Sequence, residues 1–572
     1  PVTLARAIQS LSIVQSSPSP SLILSPTAHC TMSSVAQKRR DIKAGINPTD
    51  LRRRRADTTV SLRKQKREQG VAKRRTLLTA KASAPQGNQG PAPIPSHVPD
   101  LTQALKSGDA TARTNAARGL RKLLSLETNP PVNEVIEAGA LPLLVLCLEH
   151  NPDQPNTDLQ FEAAWALTNI ASTCKTRAVV EHGAVPALVR NLRHQNPDLR
   201  EQCAWCLGNI AGDCADLRDV VLGCTDSLEG LLLNITQPAT QSLQRNCVWA
   251  LSNMCRGKPQ PKSEVLAPAV PVLQALLSCE DTEVLVDTCW ALSYLSDGDA
   301  DCVLSINSAS SSLVPLLQHE DSNVVTPALR TLGNFVTGDD TQTQAVLDLG
   351  VLPFLQVLLH HSKKNIRKEA CWTLSNIAAG TPDQLASMCD SPGVLAHVIE
   401  VLSSDAWEVQ KEANFVVSNV ATASSRSRIR QLVDLGAIQA LCQMLGRADA
   451  KVILVSLDAI SSILACDDED SGSPWRQVFD ESGGLDLLEQ LQEHENRCVY
   501  DKAVEMIERF FGCEDDEEDD EVAPSAAGGA FSFGCNPSEM TPNKSPSTCG
   551  LEMNNTTSMG LFGSPVRTLN FA

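Results

Sequence analysis

The sequence predicts an all-α, right-handed superhelical solenoid of about ten repeats, and three observations lead to that prediction. A W-x-L-x-N motif returns at intervals of 40 to 44 residues, and a Gly-led apolar motif precedes it in most units. Aromatic residues make up 3% of the chain against 42% for all hydrophobic residues. The core must therefore be built from Leu, Val, Ile and Ala, as it is in helical solenoids.

The W-x-L-x-N motif marks one helix of each repeat. Its copies read FEAAWALTNIA, EQCAWCLGNIA, QRNCVWALSNM, VDTCWALSYLS, TPALRTLGNFV, RKEACWTLSNIA and KEANFVVSNVA. The anchor residues, separated by 40, 44, 41, 40, 42 and 43 positions, are Trp165, Trp205, Trp249, Trp290, Arg330, Trp372 and Phe415. A period of ~40–47 residues with two or three helices per unit is typical of armadillo and HEAT repeats.

The Gly-led motif marks a turn between two shorter helices. Its copies include GALPLLVLCL, GAVPALVRNL, GVLPFLQVLL, GVLAHVIEVL and GAIQALCQML. Each repeat should therefore contain a helix ending near Gly, a second helix beginning near Pro or its equivalent, and a third carrying the W-x-L-x-N motif. Degenerate units extend the array upstream to Arg118 and downstream through ESGGLDLLEQLQEHENRCVYDKAVEMIERFF.

Composition divides the chain into five segments. Residues 1–31 are Ser-rich and free of acids, which fits either a transit peptide or an extension upstream of an initiator at Met32, the interpretation we favour. Residues 32–81 are a basic arm, although the whole chain has a net charge of −18. Residues 82–97 are a flexible Pro/Gly/Ala-rich linker and residues 98–512 the repeat domain. Residues 513–572 are predicted to be a disordered acidic tail that opens with EDDEEDDE.

The motif spacing places Trp and Asn on one face of the third helix. Each residue turns the helix by ~100°, so Asn at i+4 lies within ~40° of Trp, while Leu at i+2 points ~200° away. We expect Leu to be in the core and the Trp–Asn stripe to be exposed, because burying both would leave an amide unpaired. Repeated exposed Trp predicts a binding surface.

The chemistry of this stripe indicates its ligand. Asn offers a donor and an acceptor, so a row of Asn can bind the backbone of an extended peptide. Parallel indoles form slots for the stems of Lys or Arg, and nearby acids attract the charged tips. An extended Lys/Arg-rich peptide is the predicted ligand, because direct nucleic-acid binding would need a basic groove.

Other function classes lack their signals. No apolar run reaches the ~18 residues of a membrane span, and GxxxxGK, HExxH and GxSxG motifs are absent. The C-x-x-C pair Cys203 and Cys206 has no partner ligands, and tandem His360 and His361 are expected to be solvated. We therefore predict no enzymatic activity, no cofactor and no metal site.

These motifs resemble those of the importin-α family over about residues 35–515. The resemblance implies a nuclear import adaptor with a major peptide site on repeats 2–4 and a minor one on repeats 6–8. Carried over by motif, the major site contains Trp165, Asn169, Thr176, Gln202, Trp205, Asn209, Asp213, Trp249 and Asn253. The minor site, with the residues between the two sites, contains Asp287, Trp290, Tyr294, Arg330, Asn334, Glu369, Trp372, Asn376, Glu412, Phe415 and Asn419. Phe415 stands where the last minor-site indole is expected, and its smaller ring should weaken that slot.

The basic arm, KRRDIKAGINPTDLRRRRADTTVSLRKQKREQGVAKRR, resembles the importin-β-binding segment of the same family. The residues implied in importin-β binding and in autoinhibition of the groove are Arg52, Arg53, Arg54, Arg55, Arg63, Lys64, Lys66, Arg67, Lys73, Arg74 and Arg75. Other implied partners are cargo proteins carrying nuclear localisation signals, a recycling exportin at the last repeats and nuclear pore proteins, with shuttling between cytoplasm and nucleus.

Two alternatives remain from the sequence. Taken without the repeat array, the arm could be a nuclear signal or a nucleic-acid-binding tail. The array itself could belong to another armadillo scaffold, such as a catenin-like adhesion or signalling adaptor, although that class lacks both the regular Trp–Asn ladder and the basic arm.

Overall fold

The computed structural model describes residues 94–126, 128–149, 156–298, 307–467, 474–512, 525–527 and 530–532. The repeat array forms one unit ending at Phe510, and the residues from Phe511 onward form a second. The predicted importin-β-binding residues, Arg52 to Arg75, lie outside the described residues. Within the described array the chain is helical, which confirms the predicted fold class.

The helices fall into ten repeats, each ending in its longest helix. Repeats 1 to 4 contain α1 (Val98–Leu105), α2 (Ala110–Leu124), α3 (Val132–Glu137), α4 (Ala140–Leu146), α5 (Thr157–Ala171), α6 (Thr176–Glu181), α7 (Ala184–Asn191), α8 (Pro197–Ala211), α9 (Ala215–Leu222), α10 (Ser227–Thr236) and α11 (Gln241–Met254). Repeats 5 to 7 contain α12 (Ser263–Leu266), α13 (Val270–Leu276), α14 (Thr282–Leu295), α15 (Ser310–Leu313), α16 (Ser322–Phe335), α17 (Asp340–Asp348), α18 (Leu352–Leu358) and α19 (Lys364–Ala378). Repeats 8 to 10 contain α20 (Pro382–Asp390), α21 (Val394–Ser404), α22 (Trp407–Ala423), α23 (Arg426–Asp434), α24 (Ala437–Leu445), α25 (Ala450–Leu464), α26 (Pro474–Glu481), α27 (Gly484–Leu491) and α28 (Arg497–Phe511).

Short 3₁₀ helices supplement these elements at Pro95–His97, Ala267–Ala269, Asn307–Ala309 and Pro315–Gln318. The first of them lies within the segment predicted to be a flexible linker, so regular structure begins three residues before α1. Among the described residues no single helix is both long and apolar enough to cross a membrane, although the bent pair α20 and α21 passes that test when taken together.

The long third helices begin where polar side chains cap free backbone N–H groups. Asp109 accepts from the N–H groups of Thr111 and Ala112, and Asn196 accepts from those of Asp198 and Leu199. Comparable caps precede five more of these helices, at Asn156, Thr240, Asp281, Asp321 and Asp449. Such caps stabilise a helix by ~1 kcal/mol each, so the start of each capped helix is set locally by the sequence. The helices that carry Trp372 and Phe415 begin without a side-chain cap.

The predicted glycine turn has a left-handed backbone. Gly139, Gly183, Gly350, Gly393, Gly436 and Gly483 have φ between 70° and 89°. A side chain would strain this conformation, which explains why glycine recurs between the first and second helices. Repeat 4 is different, because Asp226 adopts φ of 64° at the equivalent turn.

The third helices of successive repeats pack side by side and form a continuous ladder, in which α5, α8 and α11 are consecutive neighbours. The Leu of the W-x-L-x-N motif points away from the ladder surface into the core. Those residues are fully buried, as predicted: Leu167, Leu207, Leu251, Leu292, Leu332 and Leu374.

The second unit contains a small hairpin. Strands β1 (Ser525–Ala527) and β2 (Ala530–Ser532) are antiparallel, with Ser525 opposite Ser532. This pairing lies within the segment that the sequence predicted to be disordered. The acidic run from Glu514 to Glu521 falls outside the described residues.

Candidate functional site

The ladder residues lie together as the motif spacing predicts, but the expectation that they are exposed is wrong. Trp165, Trp205 and Trp290 are only 3%, 5% and 8% exposed. Phe415 and all six ladder Asn residues are also buried: Asn169, Asn209, Asn253, Asn334, Asn376 and Asn419. Trp249 and Trp372 are intermediate. The stripe is therefore a packed floor rather than a row of free side chains.

Neighbouring third helices also pack closely against the two half-buried indoles, Trp249 and Trp372. A Cβ atom placed on Gly208 would lie 2.4 Å from Cζ3 of Trp249, and one placed on Gly333 would lie 2.4 Å from Cζ3 of Trp372. Trp249 and Trp372 thus rest on the glycine backbone of the preceding repeat. Helical periodicity gives the direction of a side chain from its own helix, but it does not say how closely the next helix approaches.

Each ladder Asn donates its side-chain N–H to the preceding repeat. Asn209 Nδ2 donates to the Thr168 carbonyl at 3.1 Å, and Asn253 Nδ2 donates to the Gly208 carbonyl at 3.0 Å. In the other repeats Nδ2 donates to Ser125 Oγ, Ser296 Oγ, Thr337 Oγ1 and the Ser375 carbonyl, at 2.9, 2.9, 3.0 and 2.9 Å. One hydrogen of each amide is therefore committed to the solenoid, and the carbonyl oxygen is the natural contact for a ligand.

Two side-chain amide oxygens of this region are buried and have no hydrogen-bond donor among the described residues. They are Asn209 Oδ1 and Gln202 Oε1, two turns apart on α8. An unsatisfied buried acceptor destabilises a protein by ~1–3 kcal/mol. Both oxygens lie on α8 within about one turn of Trp205, and because they are buried, the N–H group of a ligand could reach them only after the amide side chains rotate.

The N-terminal end of the major site contains an ion-pair network that sequence reasoning missed. The Glu162 carboxylate accepts hydrogen bonds from Nε of Arg118 and from Nε of Arg121, both at 2.8 Å. The Arg121 guanidinium also lies 4.3 Å from the ring centroid of Trp165. The indole at this end is already occupied by a cation of the chain itself. The repeat spacing could have revealed this contact, because Arg118 and Arg121 precede Glu162 by 44 and 41 residues.

Thr176 and Asp213 meet at the edge of the major site. Thr176 is buried and donates Oγ1 to the carbonyls of Ala171 and Thr173 at 3.0 and 2.9 Å. Its Oγ1 also lies 3.4 Å from Asp213 Oδ1, whereas Asp213 itself is exposed. The geometry therefore leaves a carboxylate at the solvent edge, where it can attract a cation.

At the start of the predicted minor site, on α16 of repeat 6, Arg330 takes the position of a ladder indole. Its Nη2 pairs with Glu369 Oε1 at 3.2 Å, and its guanidinium lies 5.5 Å from the ring centroid of Trp290. Trp290 in turn stacks on Tyr294, with centroids 5.7 Å apart. The middle of the ladder thus contains a cation of its own in place of an indole.

The remaining minor-site residues follow on α19 and α22. Asp287 is half-buried on α14, whereas Glu369 and Glu412 are buried on α19 and α22. Phe415 and Asn419 lie one turn apart on α22, as the motif predicts. The acidic and aromatic residues predicted for this site therefore lie along consecutive third helices.

The C-x-x-C pair behaves as core. Cys203 and Cys206 are fully buried on α8. Burial raises the pKa of the Cys206 thiol to about 12, against a smaller opposing effect of a hydrogen bond with Thr168, and burial also raises the pKa of Cys203. Thiolates are the reactive and metal-binding form, so these residues pack rather than react.

Known family models match both the basic arm and the repeat array. Residues 38–118 match the family described as the importin beta binding domain. Residues 128–172, 175–212, 258–297 and 339–379 match the armadillo/beta-catenin-like repeat, and residues 473–525 match an atypical Arm repeat.

Whole-chain relatives are similar over nearly their full length. Importin subunit alpha-1a of Oryza sativa subsp. japonica is 39% identical over 526 residues, covering 87% of this chain and 97% of that protein. Importin subunit alpha-2 of Arabidopsis thaliana is 42% identical over 516 residues, covering 87% and 95%. An engineered protein of known crystal structure matches 72% of this chain and 98% of its own, with a TM-score of 0.65 and 28% identity.

Proposed function

Since this chain belongs to the importin subunit alpha family of nuclear import adaptors, we propose that its ladder holds extended Lys/Arg-rich signal peptides at two sites. The observation that carries the proposal is the pair of buried acceptors, Asn209 Oδ1 and Gln202 Oε1, beside Trp205. An extended peptide offers backbone N–H groups to such acceptors whatever its sequence, while its Lys stems enter the indole slots. Members of the family are adaptors, and we propose no catalytic activity for this one.

The major site is assigned to repeats 2–4. Its slots lie between Trp165, Trp205 and Trp249, and Asp213 is an exposed acid at its edge. Arg121 lies over Trp165, so a peptide must displace it or leave that end of the ladder empty. The strongest Lys contact is therefore expected between Trp205 and Trp249.

The minor site is assigned to repeats 6–8. Arg330, on repeat 6, stands where the first indole of this site would be, so a peptide with two basic clusters must span that position with a linker rather than bind continuously. The slot formed by Trp372 and Phe415 has one smaller ring than a Trp pair would provide. Two-cluster peptides should therefore gain less from their second cluster here than at an all-indole site.

A direct binding assay tests the whole assignment. We would measure binding of a fluorescent Lys-rich peptide, with a Lys-to-Ala peptide as the matched control. Replacing Trp205 and Asn209 by Ala should weaken the first peptide at least ~tenfold, since hot-spot losses reach ~2 kcal/mol or more. Unchanged affinity in a variant with intact circular dichroism would overturn the site assignment.

The chain binds importin-β through the domain at residues 38–118, and we assign to the same arm a second role as internal competitor. Lys73, Arg74 and Arg75 are a short basic cluster in the sequence, and a tether of the predicted flexible kind would hold them at an effective concentration of order millimolar. Deleting residues 32–75 should raise affinity for cargo peptide, as should added importin-β. Equal affinity of full-length and truncated protein at physiological salt would exclude autoinhibition.

Recycling is assigned to the end of the array. The terminal helix α28 buries Val499, Ala503 and Met506 and has no following repeat beside its other face among the described residues. A recycling exportin that contacts this edge would account for shuttling between nucleus and cytoplasm, and nuclear pore proteins are proposed as further partners. Truncation before Gly483 should abolish exportin binding and leave importin-β binding intact; retained exportin binding would exclude this assignment.

A further inference from the structure

Two histidines and a glutamate come together on the second helices of repeats 7 and 8, away from the ladder. His360 follows α18, whereas His397 and Glu400 lie one turn apart on the neighbouring helix α21. Their potential ligand atoms all lie within 4.8 Å of one another. None of these residues belongs to either predicted peptide site.

The geometry of this cluster suits a metal ion. His360 Nε2 is 3.8 Å from Glu400 Oε2, and the rings of His360 and His397 meet edge to face with centroids 4.3 Å apart. The Nδ1 atom of His397 is buried and makes no hydrogen bond within the described residues. A buried polar atom without a partner is unusual and destabilising, and a bound cation would satisfy it.

We infer that His360, His397 and Glu400 form a Zn²⁺ site that links repeats 7 and 8. Two imidazoles and one carboxylate are a common three-residue ligand set for Zn²⁺, with the fourth position left to water. Two ligand atoms of a tetrahedral zinc site lie about 3.4 Å apart. Side-chain rotations that move the ligand atoms by about 1 Å would therefore complete the site. Mg²⁺ and Ca²⁺ prefer oxygen ligands and should not compete.

Sequence motifs do not reveal this site, because its ligands come from two repeats. His360 was expected to be solvated. Its neighbour in the sequence, His361, is not part of the cluster, whereas His397 is. His361 instead accepts a hydrogen bond from the Lys363 backbone N–H at 3.0 Å through Nδ1. It is therefore a matched control: a histidine one residue away that lies outside the cluster.

The test is a Zn²⁺ titration of the reduced full-length chain against a chromophoric chelator. We expect one equivalent of Zn²⁺, at least ~tenfold weaker binding in His397→Gln, and unchanged binding in His361→Gln. Glu400→Gln removes a largely exposed carboxylate, so it tests the site without risk to folding. Equal affinity in Glu400→Gln and the parent chain, or equal losses in His397→Gln and His361→Gln, would overturn the assignment.

Cobalt substitution separates this site from the twenty cysteines of the chain. Co²⁺ bound by two histidines and a glutamate should absorb in the visible range without thiolate charge-transfer bands in the near ultraviolet. Those visible bands should disappear in Glu400→Gln. A spectrum dominated by thiolate charge transfer, unchanged in Glu400→Gln, would place the metal on cysteine and reject the proposed site.

Discussion

Replacing Gly208 by Ala should damage the major site while leaving its aromatic and amide residues in place. The added Cβ would lie 2.4 Å from Cζ3 and 2.8 Å from Cε3 of Trp249. Carbon atoms normally pack ~3.5–4.0 Å apart, so the indole must move by roughly 1 Å or more. Overpacking of this kind destabilises a fold by ~1–3 kcal/mol, and closing the slot should weaken a Lys contact by ~2 kcal/mol, or about 30-fold.

Gly333→Ala is the matched control, because it creates the same 2.4 Å contact with Trp372 in the minor site. The two variants should lose similar stability on thermal unfolding. Fluorescence anisotropy with a single-cluster Lys peptide should detect the large loss in Gly208→Ala and little change in Gly333→Ala. A two-cluster peptide should be weakened by both variants.

The pair also defines what would refute the reasoning. Equal effects of the two substitutions on the single-cluster peptide would mean that general destabilisation, not slot closure, controls binding. Unchanged affinity in Gly208→Ala, with native circular dichroism, would mean that Trp249 does not form a Lys slot.

Three further predictions concern stability, measured as the free energy of unfolding in urea. Arg218 is fully buried and donates to the carbonyls of Arg256 and Pro259, both at 2.8 Å, so Arg218→Met should destabilise the chain by about 3 kcal/mol; a loss below about 1 kcal/mol would contradict this. Gly183→Ala should cost ~1–2 kcal/mol, because φ there is 77° and nothing else lies within 4 Å, and Asp226→Ala should cost less, since a side chain already occupies that left-handed turn; equal losses would refute the backbone argument. Burial would raise the pKa of Asp405, but hydrogen bonds from Arg367 and the Ala406 N–H, with the charges of Arg367 and Lys364, together outweigh it and lower the pKa below its usual value. The stability from this pair should be present above ~pH 4 and lost as pH falls through the lowered pKa. The free energy of unfolding of Asp405→Asn should therefore fall less steeply in acid than that of the parent chain. The same pH dependence below ~pH 4 in both proteins would exclude the pair as a contributor.

The sequence predicted those features that depend on a single helix or a single turn. Leu207 and its equivalents are core because i+2 points away from Trp on any α-helix, whatever surrounds it. Gly183 and its equivalents recur because the left-handed turn is a local property of the backbone. The order of ladder residues along the solenoid also follows directly from the repeat period.

Contacts between repeats were harder to predict. Trp249 is less exposed than expected because the preceding helix approaches it closely at Gly208. The spacing of hydrophobic residues in a sequence does not reveal the distance between neighbouring helices. A weak signal existed: the residue before each ladder Asn is small, as with Thr168, Gly208 and Ser252. The Arg121 contact with Glu162 and the cluster around His397 join different repeats, so no single motif contains them.

The Asn hydrogen bonds hold the distance between successive ladder helices constant. Each amide that faces the groove also ties its repeat to the one before it, as Asn253 does to Gly208 and Asn419 to Ser375. An extended peptide advances by ~3.3 Å per residue, so a solenoid stretched or compressed along its axis would fall out of register with it. The mismatch would grow with each repeat spanned. Long two-cluster signals should therefore respond far more than short ones to any strain that a partner imposes on the coil.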